Sequence, residues 1–352
     1  MAAKAEAAPG AEGAPSTSAA PGGGGKGEGE GEGGGEGGPA PAAPPAGPTV
    51  VLVVGMAGSG KTTFIQRLNA DLHAKGKPPY LVNLDPAVAK LPYEAHIDIR
   101  DSVDYRALMA ENKLGPNGGI LTAVNLFATS FNQVVDLCEQ RRGTTDYIVV
   151  DTAGQIEIFT WSASGTIFAE SLASTFRTVV AFVVDTASCK APQVFMSNML
   201  QACSVLYKTK LPMVLVFNKV DMASHGPCLE WMADFEAFHD AIEEDGSYAA
   251  SLSRSLSMVL EEFYANLRPV GLSAAVGLHI DSFYTAVAEA GKDYCRDYWT
   301  ELQRRRGERE RLLAAQRAGE AAKLKADLAG GGNANLRAKV REKLAQGGGM
   351  GE

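Results

Sequence analysis

Eight consecutive residues constrain this chain more than any other stretch: Gly55-Met-Ala-Gly-Ser-Gly60-Lys61-Thr62. They satisfy the spacing G-x-x-x-x-G-K-[ST], directly after an apolar, β-branched run from Thr49 to Val54 and before Phe64, Ile65, Leu68 and Leu72, which recur at helical spacing. Glycines at those positions let the backbone curl so that successive N–H groups face one anion, and the helix that follows adds the partial positive charge of its N-terminus. Gly55, Ala57, Gly58, Ser59, Gly60 and Thr63 are therefore expected to form a phosphate cradle. Lys61 is expected to reach the β- and γ-phosphates of a nucleotide, and Thr62 to place its hydroxyl on Mg²⁺.

Further short apolar runs follow at Tyr80 to Leu84, Tyr147 to Val150, Thr178 to Val184 and Pro212 to Phe217, with a weaker one ending near Leu272. Runs that are apolar throughout, without alternation, suit strands buried on both faces of a parallel sheet. Helical periodicity returns between them, as at Trp231, Phe235, Phe238 and Ile242. The pattern implies an α/β fold of the P-loop NTPase type: a doubly wound, mainly parallel sheet with helices on both faces and its ligand crevice at the carboxyl ends of the strands. Ile280 to Leu328 reads as helix, amphipathic through Phe283, Val287 and Tyr294 and then rich in Arg and Ala, which adds a helical C-terminal extension. The expected division is a Gly/Pro/Ala/Glu-rich disordered tail over 1–48, one catalytic domain over 49–295, a charged helical extension over 296–346 and a flexible end over 347–352.

Two more motifs fall at strand ends. Asp151-Thr-Ala-Gly154-Gln155 follows the Tyr147 run, which puts Asp151 where a Mg²⁺-binding acid would stand and Gly154 where its N–H could meet a γ-phosphate. Asn218-Lys219-Val-Asp221 follows the Pro212 run. Guanine presents N1–H and N2–H₂ as paired donors, which one carboxylate accepts together; adenine has an acceptor at N1 and would leave Asp221 unpaired. A mismatch of that kind discriminates by about 10⁴ or more, so GTP and GDP are expected rather than adenine nucleotides. Ser273 and Ala274 loosely match the segment that closes over the base in GTPases.

Composition narrows the remaining options. The net charge of −8 is uneven: Arg296 to Lys343 holds 13 basic and 7 acidic residues, leaving the body acidic. An acidic body argues against direct nucleic-acid binding. No apolar run approaches the roughly 20 residues of a membrane span. Five scattered cysteines with no C-x-x-C pair fit a reducing, cytosolic setting, and the histidines are not at metal-ligand spacing.

Gly115-Pro116-Asn117-Gly118-Gly119 by itself reads as a turn. In order and spacing with Asn83-Leu-Asp85-Pro-Ala87, Ile97-Asp98-Ile-Arg-Asp101, Asp151-Thr-Ala-Gly-Gln-Ile-Glu157, Phe159-Thr-Trp-Ser162, Phe195-Met-Ser-Asn-Met199 and Asn218-Lys-Val-Asp221, however, it resembles the GPN-loop GTPases over about residues 49–295. Trp161-Ser-Ala-Ser-Gly165 and Tyr207-Lys-Thr-Lys-Leu-Pro212 are similar to the large eukaryotic branch of that family. The resemblance implies a GTPase that dimerises across its nucleotide sites, with Asn117 of one subunit entering the other's site. It implies as partner a smaller GPN-loop paralogue or a second copy, RNA polymerase II subunits as client, and a cytoplasmic protein that shuttles to the nucleus. It also implies Gln155 and Glu157 as water-positioning residues and Asp85 as an acid near metal and water; Asp85 before Pro86 also fits a simple turn, and Glu157 a solvated position. Ala153 departs from the family's usual proline. A competing function class is a slow GTP-switched module that binds client polypeptides, for which the aromatic and Met residues of Asp185 to Tyr207 and of Trp231 to Phe263 would supply a surface if they are not core.

Overall fold

The computed structural model describes residues 43–243, 248–265 and 267–329. Along the chain, β1 (Thr49–Gly55) is followed by α1 (Lys61–Ala74), β2 (Tyr80–Asn83), β3 (Ile97–Asp98), α2 (Ile99–Ser102), α3 (Tyr105–Asn112), α4 (Pro116–Ala128), α5 (Phe131–Glu139) and β4 (Tyr147–Asp151). Then come α6 (Ile156–Trp161), α7 (Ala163–Thr175), β5 (Arg177–Asp185), α8 (Pro192–Thr209), β6 (Met213–Asn218), α9 (Gly226–Ala233), α10 (Phe235–Glu243) and α11 (Tyr248–Ala265). The series ends with β7 (Arg268–Gly271), α12 (Ile280–Asp293), a π-helical turn at Tyr294–Tyr298 and α13 (Trp299–Ala329).

The strands form one sheet in the order β3-β2-β4-β1-β5-β6-β7, every pair parallel. Alternate residues of each strand feed opposite layers. Val51 and Val53 of β1 and Val179, Ala181 and Val183 of β5 meet Phe64, Ile65 and Leu68 of α1 and Phe283 and Val287 of α12. Val50, Leu52, Val54, Phe182 and Val184 face the other layer, built from α4, α5, α7, α8 and α10. Burial on both faces is why these strands lack alternation in the sequence. Phe195, Met196 and Met199 of α8 and Phe238 of α10 belong to this core, and Phe195 stacks edge-on with Trp231 at 5.3 Å. Core packing therefore accounts for Phe195, Met196, Met199 and Phe238, whereas Tyr207 and Phe235 of the same stretches are exposed.

Three expectations change. The two-residue β3 at the sheet edge carries no periodicity and was invisible in the sequence. The Trp231-to-Ile242 periodicity spans two helices instead of one, because Asp234 is extended and its side chain accepts from Glu236 N at 2.8 Å, which starts α10 afresh. Gly115 to Gly119 is not a free turn: Gly115 caps α4, and Pro116 occupies its first position, where a missing N–H costs nothing. The long C-terminal helix is present, though its packing runs past 295: Tyr294 is fully buried, with its hydroxyl donating to Ala173 O at 2.6 Å, and Trp299 is 8% exposed. The expected break at Gly330 to Gly332, the end over 347–352 and most of the N-terminal tail lie outside the described residues. Among the described residues no helix is long and apolar enough to cross a membrane.

Candidate functional site

Parallel pairing brings six strand ends to one edge. Asn83 of β2 is in register with both Asp98 of β3 and Asp151 of β4, Gly55 of β1 with Val183 of β5, and Asp185 of β5 with Asn218 of β6. The order of the chain through the sheet reverses at β1, so the crevice opens there, where the Gly55-to-Thr62 loop lies.

That loop is shaped by its glycines. Gly60 caps α1 with φ +91°, and a Cβ there would strike Asn218 Nδ2. A Cβ at Gly55 would run into the carbonyl oxygen of Val183. Lys61 is buried and donates to the carbonyls of Gly55 at 2.8 Å and Met56 at 3.1 Å; its desolvation lowers its pKa, while the charges of Asp151 and Asp85 act the other way. The Ser59 hydroxyl is buried with no hydrogen-bond partner, an unused donor inside the cradle. Ala57, Gly58 and Thr63 are exposed along the rim.

Thr62 Oγ1 lies 3.5 Å from Asp151 Oδ2. Burial pushes the Asp151 carboxyl up to about 6, against the hydrogen bonds and Lys61 charge that favour ionisation. A buried carboxylate short of counter-charge beside a hydroxyl suits a divalent cation that takes its remaining ligands from phosphate and water, as Mg²⁺ does. No cluster of three or more His, Cys, Asp or Glu among the described residues offers an all-protein metal cage. Asp85, the third candidate ligand, is engaged elsewhere: its carboxylate accepts from Ala87 N at 2.9 Å and from Gly154 N at 3.3 Å. The Gly154 N–H expected to face a γ-phosphate is thus held by Asp85 in this structure. Desolvation raises the Asp85 pKa, opposed by those two backbone bonds.

At the other end of the crevice, Asn218 is a junction. Its Nδ2 donates to Ser59 O at 3.0 Å, and its Oδ1 accepts from Ala274 N at 3.0 Å and Lys219 N at 2.9 Å. Lys219, at φ +66°, lays its ammonium on Gly58 O at 2.9 Å and Asp185 at 2.8 Å. Burial alone would raise the Asp185 pKa, but Lys219 and Ser188 override it and hold the carboxyl below its ordinary value. Ser273 and Ala274 are buried beside this junction, while the Asp221 carboxylate is exposed at the mouth.

Gln155 and Glu157 sit at the start of α6, Gln155 as its cap and Glu157 in its first turn. Gln155 Nε2 donates to Asn117 Oδ1 at 2.6 Å, so the first turn of α4 meets the α6 cap within one chain. Sequence reasoning missed Tyr93, whose hydroxyl donates to Asp151; Asp185; and Arg67, which clamps the Ala274 and Ala275 carbonyls at 2.9 and 2.6 Å. Arg67 carried a faint signal, as a lone basic residue in the middle of α1. Asp185 also carried one, as the acid directly after the Thr178-to-Val184 run, whereas Tyr93 carried none.

Comparison with known proteins identifies the family. The model of a family described as conserved hypothetical ATP binding protein matches residues 53–293. GPN-loop GTPase 1 of Dictyostelium discoideum is 50% identical over 281 residues, 80% of this chain and 71% of that protein. GPN-loop GTPase QQT2 of Arabidopsis thaliana is 55% identical over 258 residues, 73% of this chain and 68% of that protein. Among solved structures, a GTPase in apo form from Pyrococcus abyssi aligns with a TM-score of 0.61 at 26% identity, covering 69% of this chain and 97% of that one. With the glycine cradle, the Asp151 strand end, the Asn218 junction and the Gly115-Pro-Asn117 triplet in place, and relatives matching over most of its length, the chain belongs to the GPN-loop GTPase family.

Proposed function

We propose that this protein binds guanine nucleotide along the carboxyl edge of its sheet and hydrolyses GTP to GDP and phosphate, and that it does so as a dimer closed across the nucleotide site. The observation that carries the reading is the Asn218 junction. One side chain fastens the phosphate loop, through Ser59, to the Ser273–Ala274 loop, while the next residue, Lys219, lies over Gly58. Phosphate cradle and base platform are thereby a fixed distance apart. The Asp221 carboxylate follows on the same loop as the acceptor for guanine N1–H and N2–H₂, which supports GTP over the ATP of the family model's description.

Hydrolysis needs neutralised phosphate charge and a water held in line. Lys61 would exchange the loop carbonyls for the phosphates, and Thr62 and Asp151 would hold Mg²⁺, which when bound would neutralise charge on the phosphate oxygens. Gln155 and Glu157 orient the water, and Asp85 releases Gly154 so that its N–H faces the γ-phosphate. Asn117 of a neighbouring subunit replaces the internal Asn117 against Gln155. By resemblance, the neighbour is a smaller GPN-loop paralogue or a second copy, and the dimer serves assembly and nuclear import of RNA polymerase II, moving between cytoplasm and nucleus. A slow, GTP-switched client-binding module is the second reading, favoured by Leu200 and Tyr207, which are 36% and 82% exposed on the outer face of α8.

Asp221→Asn tests the base assignment. The amide substitutes a donor for one acceptor opposite two guanine donors, so GDP affinity is expected to fall by about 10²-fold or more and xanthosine diphosphate to gain. Competition binding measures both; unchanged GDP affinity would remove the guanine assignment.

A further inference from the structure

The segment between β2 and β3 holds a buried tyrosine that none of the motifs accounts for. Tyr93 is 8% exposed and packs in the layer of α1 and α12, and its hydroxyl donates to Asp151 Oδ2 at 2.7 Å. The same oxygen is the one nearest Thr62 Oγ1, at 3.5 Å. Asp151 is 2% exposed, and an ionised carboxylate at that depth is costly unless hydrogen bonds replace its lost water.

We propose that Tyr93 is a positioning residue for the cation: by bonding Asp151 Oδ2 it fixes the rotation of the carboxylate and sets which lone pairs face the metal shared by Thr62 and the nucleotide phosphates. The inference rests on Thr62 and Asp151 being the metal-holding pair. Mg²⁺ demands near-octahedral ligand directions and takes few carboxylates, so a side chain free to rotate binds it less well. Hydrogen-bond partners of metal ligands are typically worth about 10- to 100-fold in affinity. Tyr93 reaches Asp151 from the stretch that also carries Asp85, whose own bond to Gly154 pins the same stretch to the loop after β4. One short segment therefore orients the metal acid and covers the phosphate-sensing backbone.

Manganese(II) is the probe, its free and bound forms distinguished by electron paramagnetic resonance with GDP present, and GDP affinity in EDTA is measured beside it. Tyr93→Phe is expected to weaken Mn²⁺ binding by about 10- to 100-fold while GDP affinity in EDTA stays at the wild-type value. Asp151→Asn, run in parallel, is expected to lose Mn²⁺ binding. If Asp151→Asn binds Mn²⁺ normally, the metal-pair reading falls and Tyr93 falls with it. If Asp151→Asn loses the ion and Tyr93→Phe keeps full affinity, the positioning role alone is overturned. Equal losses for Tyr93→Phe with and without metal would also overturn it, since packing would then explain the effect.

Discussion

Lys61 shows what a single side chain in this crevice is being asked to do. A lysine at 6% exposure is desolvated, and it is tolerated because two loop carbonyls accept its protons. Those carbonyls belong to the loop that would wrap the phosphates, so the ammonium already sits at the rim of the cradle it serves. Hydrogen bonds to charged groups contribute about 1.5–3 kcal/mol each, so removing two phosphate contacts should cost about 100-fold or more in affinity. Lys61→Ala is accordingly expected to lose tight GDP and GTP binding, while its melting temperature without nucleotide shifts by only a few degrees. Fluorescent-nucleotide titration and thermal melting check the two halves; a collapsed fold would mean that the lysine is structural.

At the scale of elements, the Gly115-Pro-Asn117 triplet matters because it is the start of a helix and not a slack connection. A first helical turn holds Asn117 in a defined direction, where it meets Gln155 at the cap of α6. The two following glycines differ in purpose. A Cβ at Gly119 would strike Met109 and stand 2.9 Å from the Tyr105 ring, whereas one at Gly118 meets only Leu114 at an ordinary 3.7 Å. Gly119 thus lets α3 lie against α4, and Tyr105 fixes the contact by donating to Pro116 O at 3.1 Å. Gly119→Val is expected to destabilise by about 1–3 kcal/mol through overpacking. Gly118→Ala is expected to be neutral or to stabilise by up to about 1 kcal/mol, because alanine is the better helix former. Urea denaturation of the two variants separates these outcomes.

For the whole molecule the question is whether one chain completes its own site. Asn117 and Gln155 already touch in cis, so a trans role requires the neighbour's Asn117 to take over that position. A subunit carrying Asn117→Ala has an intact nucleotide site but an ineffective loop; one carrying Lys61→Ala has the reverse. Mixed dimers are expected to recover turnover that neither mutant homodimer has, with the Asn117 change alone costing about 10²- to 10³-fold in rate. Phosphate release from mixtures shown by light scattering to form dimers decides this, and no recovery would return Asn117 to a cis role. The sequence alone determined the α/β class, five buried strands and the three strand-end motifs, because apolar runs, glycine loops and strand-following acids are local patterns whose spacing the chemistry dictates. It did not show β3, which is too short to have a period, nor the split at Asp234, where a capping side chain outweighs continuous helical spacing. Tyr93 over Asp151, Arg67 on the Ala274 loop, Asp185 beneath Lys219 and Asn117 against Gln155 were decided by tertiary structure alone. Each joins residues far apart in the chain, and only the order and register of the parallel strands bring their ends to one edge.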